Sequence, residues 1–252
     1  MRFTPQLRDL KWLVDRPIAH RGLHNKAGGI WENTAPAFAN AIKGNYAIEC
    51  DLQISTDGEA MVFHDETLQR LTGESGLVRE RTAKQLQKLA IGDAKDRMQR
   101  LGELLEQVDG KVTLVIELKS QWDGNIDLAQ KTLQVLESYQ GPYALMSFDP
   151  DLMAAVAAIS PHAVRGITAD RTVDACYSGL PLARRIAMRN FEHLATTRPH
   201  FVSYYFRDMP FPAIQRIRSA GHPVISWTIR NQQQESLARR RSDQITFEDY
   251  AA

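Results

Sequence analysis

Apolar, β-rich stretches alternate with helical patterns along nearly all of this 252-residue chain, and that alternation restricts the fold more than any composition figure. Pro17 to His20, Tyr46 to Ile54, Val112 to Leu118, Tyr143 to Ser147, Ala163 to Thr168, Phe201 to Tyr205, Pro223 to Thr228 and Gln244 to Phe247 read as eight strands. Helical spacing fills the intervals at Glu32 to Lys43, from Thr82 as N-cap, and at Leu101 to Val108, Ile126 to Tyr139 and Asp149 to Ile159. A long mixed helical region then runs to about Ala195, followed by Phe211 to Ala220 and Asn231 to Arg239. One departure from the rhythm is a hairpin turn at Thr56-Asp57-Gly58-Glu59, with Ala60 to His64 as its returning strand. Strand–helix alternation calls for parallel strands joined by right-handed crossovers, and eight units close a (β/α)8 barrel. A doubly wound open sheet is the competing architecture. No internal repeat or low-complexity linker interrupts the pattern, so residues 1–252 are expected to form a single α/β domain of the TIM-barrel type.

Composition excludes several function classes. A formal net charge of +1 provides no global field for nucleic acid or an anionic membrane. Local arginine groups, Arg184-Arg185 and Arg239-Arg240-Arg241, are expected on solvated helix faces and helix ends. Cys50 and Cys176 lie far apart and outside any ligand spacing, so neither a disulfide framework nor a thiolate metal site is expected. Cys50 alternates with Glu49 and Asp51 and should point away from them, into packing against a helix. The opening stretch MRFTPQLRDLKWLVDRP carries charges every few residues, reading as neither signal peptide nor membrane anchor. A cytoplasmic protein without membrane insertion is the expectation.

Barrel enzymes assemble their sites where strands end, and the titratable residues of the first half of this chain fall there. His20 follows the first strand, Glu49 and Asp51 lie late in the second, His64 ends the hairpin's returning strand, and Glu117 and Lys119 end the third barrel strand. Glu49 and Asp51, two apart, share a strand face. With Glu117 they form a set of hard oxygen donors suited to Mg²⁺, Ca²⁺ or Mn²⁺ rather than zinc. Glu117 interrupts an otherwise apolar strand, where an unpaired carboxylate would cost several kcal/mol. Lys119, two residues on, could form a plain ion pair with it or bind a phosphate beside the metal. Arg21 offers the planar fork that matches phosphate oxygens. Two histidines, His20 and His64, titrate near neutrality and can divide acid and base work. The combination reads as phosphoryl transfer or phosphodiester cleavage. His24, His162, His193, His200 and His222 are read as loop or helix-end residues without a role.

The ordered elements H-R-G at His20, E-N-T-x-x-A-F at Glu32, I-E-x-D-[LV]-x-x-[ST]-x-D-G at Ile48 and V-x-H-D-x-x-L-x-R-x-T at Val62 extend this reading. With I-E-L-K at Ile116 and S-W-T at Ser226, the chain resembles the glycerophosphodiester phosphodiesterase family over nearly its whole length. The resemblance implies a TIM barrel, a divalent cation and hydrolysis of deacylated phospholipids to glycerol 3-phosphate and an alcohol. Carried over position by position, His20 and His64 would be the acid/base pair. Glu49, Asp51 and Glu117 would be metal ligands, and Arg21 and Lys119 substrate phosphate contacts. It further implies attack on phosphorus by the neighbouring glycerol hydroxyl, then opening of a cyclic phosphate by water. The partner so implied is a small glycerophosphodiester. Two departures stand out. Gln99-Arg100-Leu101 replaces a P-T-L motif, and the terminal D-G-[IV]-x-T-D-x-P pattern has lost its glycine and proline in Asp243 to Asp249. The segment from His64 to Val112 is short for a large capping insertion. A sphingomyelinase D-like phospholipase and a catalytically silent binding barrel are the alternatives. The former is expected to be larger, secreted and disulfide-bonded, and the latter to lack a histidine or a carboxylate that this chain retains.

Overall fold

The computed structural model describes residues 9–93, 96–173 and 177–252; Cys176 and the first eight residues of the N-terminal stretch lie outside them. Nine strands form one sheet: β1 (Ile18–Ala19), β2 (Ala47–Ile54), β3 (Ala60–Val62), β4 (Leu114–Leu118), β5 (Tyr143–Ser147), β6 (Arg165–Ala169), β7 (Phe201–Tyr205), β8 (Val224–Ile229) and β9 (Gln244–Phe247). All except β3 run parallel, and β1 pairs with both β2 and β9, which closes eight strands into a barrel. The open doubly wound sheet is thereby excluded. Helices such as Ala35–Lys43, Leu101–Val108, Asp127–Leu136, Pro150–Ile159 and Pro212–Ser219 separate the strands in sequence. Each predicted strand is present within about two residues of its expected start.

Side-chain parity sorts the core into layers. On β2 the residues Ile48, Cys50 and Leu52 face outward into the main apolar layer with Phe38, Ala41, Leu101 and Leu104 of the surrounding helices. Cys50 is fully buried there, as its alternation with the carboxylates required. Inside the barrel, Ile18, Ala47, Val115, Ala144, Met146, Phe201 and Ile225 form a separate cluster. Leu10 and Leu13, at the short helix Lys11–Val14, join that cluster. The barrel is thus filled with hydrocarbon toward its N-terminal end, and on β2 and β4 the next inward residues, two positions beyond Ala47 and Val115, are Glu49 and Glu117.

The hairpin forms as read. Ser55 N–H donates to Glu59 O at 3.0 Å, and Gly58 takes the positive φ of 77° that the turn requires. Beyond Leu52, the last β2 position paired with β4, the strand continues against β3. This is why Asp51 sits near the middle of β2 although it lies near the end of the strand's barrel portion. Residues after β3 pack on a satellite core of Met61, Phe63, Leu68, Leu71, Val78, Leu86 and Met98, with Thr82 capping Ala83–Leu86. Short as it is, this segment carries its own core and a rigid rim.

Gly166 on β6 shows how tightly the interior is filled. A Cβ built there would lie 2.4 Å from the Phe201 ring. Gly166→Ala should cost roughly 1–3 kcal/mol by overpacking, seen as a fall of several degrees in thermal midpoint. An unchanged midpoint would show that Phe201 moves aside freely.

Candidate active site

Parallel pairing of β2 with β4 sets Asp51 opposite Glu117 and Glu49 opposite Val115. With inward parity, this register gathers the three carboxylates on the mouth side of the apolar cluster, Glu49 at the register position of Val115 and Asp51 and Glu117 one inward position further on. Glu49, Asp51 and Glu117 are buried at 2%, 1% and 5% exposure, and one oxygen from each lies within 4.8 Å of the others. Among the described residues this is the cluster able to hold a metal ion. Three hard oxygen donors at that spacing fit a divalent cation.

The electrostatics of the cluster give an independent test of fit. Burial, together with the charges of Asp51 and Glu117, pushes the Glu49 carboxyl well above the usual range. Burial acts the same way on Asp51, but Lys119, His64 and Arg21 outweigh it and keep its carboxylate ionised. The protein's own cations therefore do not neutralise the triad, and a divalent cation would supply the missing positive charge. Lys119 Nζ bonds Glu117 Oε1 at 2.5 Å and Asp51 Oδ1 at 2.8 Å. Burial alone would lower its pKa, yet these two partners raise it. The ion pair weighed for Lys119 is present, with Asp51 as a second partner.

His20-Arg21-Gly22 leaves β1 in a tight bend. Arg21 has φ of 55° and Gly22 φ of 78°, and a Cβ on Gly22 would come within 2.9 Å of the Ala37 backbone, so glycine is required there. The bend aims the Arg21 N–H at Glu49 Oε2, 2.9 Å away. It also sets Arg21 Nε 3.4 Å from Asp51 Oδ2 and the guanidinium NH1 2.6 Å from Glu32 Oε1. Asn33 donates from Nδ2 to Asp51 Oδ2 at 2.8 Å.

Each of the two histidines leans on a carboxylate. His64 Nδ1 meets Asp65 Oδ1 at 2.7 Å, and Arg70 grips both oxygens of Asp65 at 2.5 and 2.8 Å. Arg70 also bonds Glu32, joining His64 to Arg21 through a chain of ion pairs. His20 Nδ1 bonds Glu248, the residue following β9. Its Nε2 faces Glu49 Oε2 at 3.9 Å. Burial lowers His20 to about 4, against the pull of Glu248.

The seven residues expected from sequence thus converge on one mouth. Several neighbours were missed. The helix read from Glu32 begins at Ala35, and Glu32 instead turns to the arginines, because two guanidiniums outweigh one more helical turn. His24, read as a loop histidine without a role, has Nε2 3.8 Å from Glu248 Oε2. Arg184, read as a solvated helix arginine, bonds Asp149 and Asp151 and lies over the Trp122 ring at 5.7 Å. Trp122, Phe148, Tyr177 and Trp227 wall a cleft of about 310 Å³ that also touches His64, Glu117 and Lys119. Of these, only Trp227 had a sequence signal, in S-W-T.

Comparison with known proteins bears on this arrangement. Residues 20–248 match the model of the glycerophosphoryl diester phosphodiesterase family. The chain belongs to that family, whose members are phosphoric diester hydrolases. It is 28% identical over 243 residues to a glycerophosphodiester phosphodiesterase of Caldanaerobacter subterraneus subsp. tengcongensis, covering 92% of this chain and 93% of the relative. A Bacillus altitudinis enzyme of the same name is 32% identical over 58% of this chain and 62% of its own length. Among solved structures, an Oleispira antarctica phosphodiesterase in complex with sn-glycerol-3-phosphate is similar with TM-score 0.78, 22% identity and coverage of 94% and 95%. The Thermotoga maritima glycerophosphodiester phosphodiesterase gives 0.70, 24%, 91% and 92%. Among the described residues no helix is long and apolar enough to cross a membrane.

Glu32 carries a testable charge balance. Burial would raise it, but hydrogen bonds from Arg70 and the charge of Arg21 hold it at about 2. A carboxyl depressed on folding contributes stability that is full above its unfolded value and is lost as pH falls through its folded one. The stability gap between the wild type and Glu32→Gln should therefore be greatest above about pH 5, at most about 3 kcal/mol, and close toward about pH 2. A gap independent of pH, measured by denaturant unfolding, would refute the balance.

Proposed function

We propose that this chain hydrolyses glycerophosphodiesters to glycerol 3-phosphate and an alcohol. Glu49, Asp51 and Glu117 would hold one divalent cation, and His20 and His64 would form the acid/base pair. The observation that carries the reading is three buried carboxylate oxygens within 4.8 Å of one another beside two carboxylate-anchored histidines. A bound Mg²⁺, Ca²⁺ or Mn²⁺ would supply Lewis-acid stabilisation of phosphate charge. Arg21 and Lys119 are suited to hold the phosphate, being the cations nearest the triad. Each histidine directs Nδ1 to a carboxylate, which leaves Nε2 to exchange a proton with substrate. In the reaction we envisage, one imidazole takes the proton of the neighbouring glycerol hydroxyl as it attacks phosphorus. The other protonates the departing alcohol, and water then opens the cyclic phosphate. The aromatic wall offers carbon surface to one of the two alcohol moieties.

Hydrolysis of glycerophosphocholine is the direct test. EDTA should abolish it, with Mg²⁺, Mn²⁺ or Ca²⁺ restoring it, and Glu49→Ala, Asp51→Ala and Glu117→Ala should each remove it in a folded protein. Full turnover in excess chelator would eliminate the metal role. Cleavage of sphingomyelin in place of glycerophosphocholine would move the chain to the alternative phospholipase class.

His20→Ala and His64→Ala should each lose on the order of 10²–10⁴-fold in kcat. A nitrophenyl leaving group, which needs no proton, should rescue the variant of the acid and not that of the base. Two variants with wild-type turnover on glycerophosphocholine would rule out histidine catalysis.

A further inference from the structure

Glu248 lies just beyond β9, in the C-terminal segment where the chain departs from the family pattern. Its backbone is fixed by Glu248 N–H donating to Ile229 O at 3.0 Å, while His20 N–H donates to Phe247 O at 2.9 Å. The ends of β1, β8 and β9 are therefore tied together around this one side chain. Both of its oxygens are engaged: Arg230 NH2 bonds Oε1 at 2.6 Å, and His20 Nδ1 bonds Oε2, with His24 Nε2 at 3.8 Å. The carboxylate is 12% exposed.

We infer that Glu248, clamped by Arg230, is a positioning residue that fixes the tautomer and ring orientation of His20. The inference rests on the glycerophosphodiesterase reading only for the role it gives His20. A carboxylate accepts and cannot donate, so the hydrogen of neutral His20 is placed on Nδ1 and the Nε2 lone pair is left facing Glu49 and the carboxylate layer. The clamp matters because it removes choice. With Oε1 committed to Arg230, Oε2 is held against Nδ1 and the carboxylate cannot swing away from the imidazole. An ion pair that merely pinned the C-terminal segment would leave the tautomer indifferent to replacing oxygen by nitrogen.

Glu248→Gln makes that distinction. A glutamine has one acceptor oxygen for two donors. Arg230 donates only and takes the oxygen, so the NH2 group is turned on His20 Nδ1 and the ring hydrogen is driven to Nε2. In Glu248→Gln/Arg230→Met the amide oxygen is free again, and Nδ1 can recover its hydrogen.

The experiment has two arms. Histidine-¹⁵N-labelled protein, free of metal and substrate, is examined by long-range ¹H–¹⁵N correlation at neutral pH, with the His20 signals assigned by their loss in His20→Ala. The wild type should show Nδ1–H, Glu248→Gln should show Nε2–H, and the double variant should return to Nδ1–H. In the second arm, kcat on glycerophosphocholine should fall by roughly 10²-fold in Glu248→Gln with KM little changed, as expected for an imidazole in the wrong tautomer. Adding Arg230→Met should recover part of it. Arg230→Met alone, which leaves the carboxylate on His20, should keep Nδ1–H and lose less turnover than Glu248→Gln; if the glutamine variant does not fold, Nε2–H in Arg230→Met overturns the inference by itself. An unchanged tautomer in Glu248→Gln, or a ring protonated on both nitrogens in the wild type, overturns the inference. A double variant no better than Glu248→Gln overturns it too. Absence of hydrolysis by the wild type would instead count against the functional reading, and the spectroscopic result would stand independently.

Discussion

The register that sets Asp51 of β2 opposite Glu117 of β4 is the constraint on which the site depends. Inward parity then adds Glu49, and three carboxylates share a layer from which water is largely excluded. Such a layer is unfavourable by itself, since unpaired buried charge costs several kcal/mol per ion even after relaxation. The surrounding residues follow from that cost. Lys119 bridges two of the three, Arg21 addresses Asp51 by its side chain and Glu49 by its backbone, and Asn33 donates to what remains of Asp51. Glu49, left with the least compensation, has its carboxyl pushed well above the usual carboxylate range by burial and by its acidic neighbours. A site made this way is ready for a cation because the fold supplies too little positive charge of its own.

Outside that layer, each histidine is anchored by a carboxylate that is itself held by an arginine. His64 is served locally, by Asp65 and Arg70 of the segment following β3, whose satellite core gives these residues a firm base. His20 is served from the opposite end of the chain, by Glu248 and Arg230. Imidazole rings held through Nδ1 lose rotational freedom before substrate arrives, and preorganisation of that kind is how barrel scaffolds convert strand-end geometry into reactivity. The anchors also differ in setting. Glu248 is 12% exposed and Asp65 20%, so the two histidines experience different surroundings although their first partners are chemically alike.

How much of this was legible in the sequence depended on range. Strand order, hairpin and barrel closure follow from local periodicity, and the inward carboxylates from parity along single strands. The convergence of His20, Glu49, Asp51, His64 and Glu117 could be argued because strand ends meet in a barrel whatever its details. The anchors could not. Glu248 reaches His20 across 228 positions of sequence, and nothing around it distinguishes it from Asp243 or Asp249. Glu32 looked like the first turn of a helix, since an acidic residue before an apolar run is a helix-start signal. Tertiary pairing with Arg21 and Arg70 took precedence. His24 carried no neighbour pattern at all, and the aromatic wall assembles from three separate strand-end loops and one strand.

The vertical order of the barrel interior connects these observations. Hydrocarbon fills the N-terminal end, from Leu10 and Leu13 through Ala47, Val115 and Phe201. The carboxylates come next on the same strand faces, and the histidines and arginines lie at the mouth. Reversing any two layers would fail for a physical reason. Carboxylates lower down would have no cation or amide donor within reach, because Lys119, Arg21 and Asn33 come from the turns and loops where the strands end. Hydrocarbon higher up would leave those loops without the ion pairs that set their shape. The strand gives each inward side chain a height fixed by its position, so the spacing of Ala47, Glu49 and Asp51 on β2 and of Val115 and Glu117 on β4 encodes the layers directly. The rigid apolar plug beneath is what makes the charged layer tolerable: it holds the strands in register, so the carboxylates cannot relax apart to relieve their repulsion except by binding a proton or a cation.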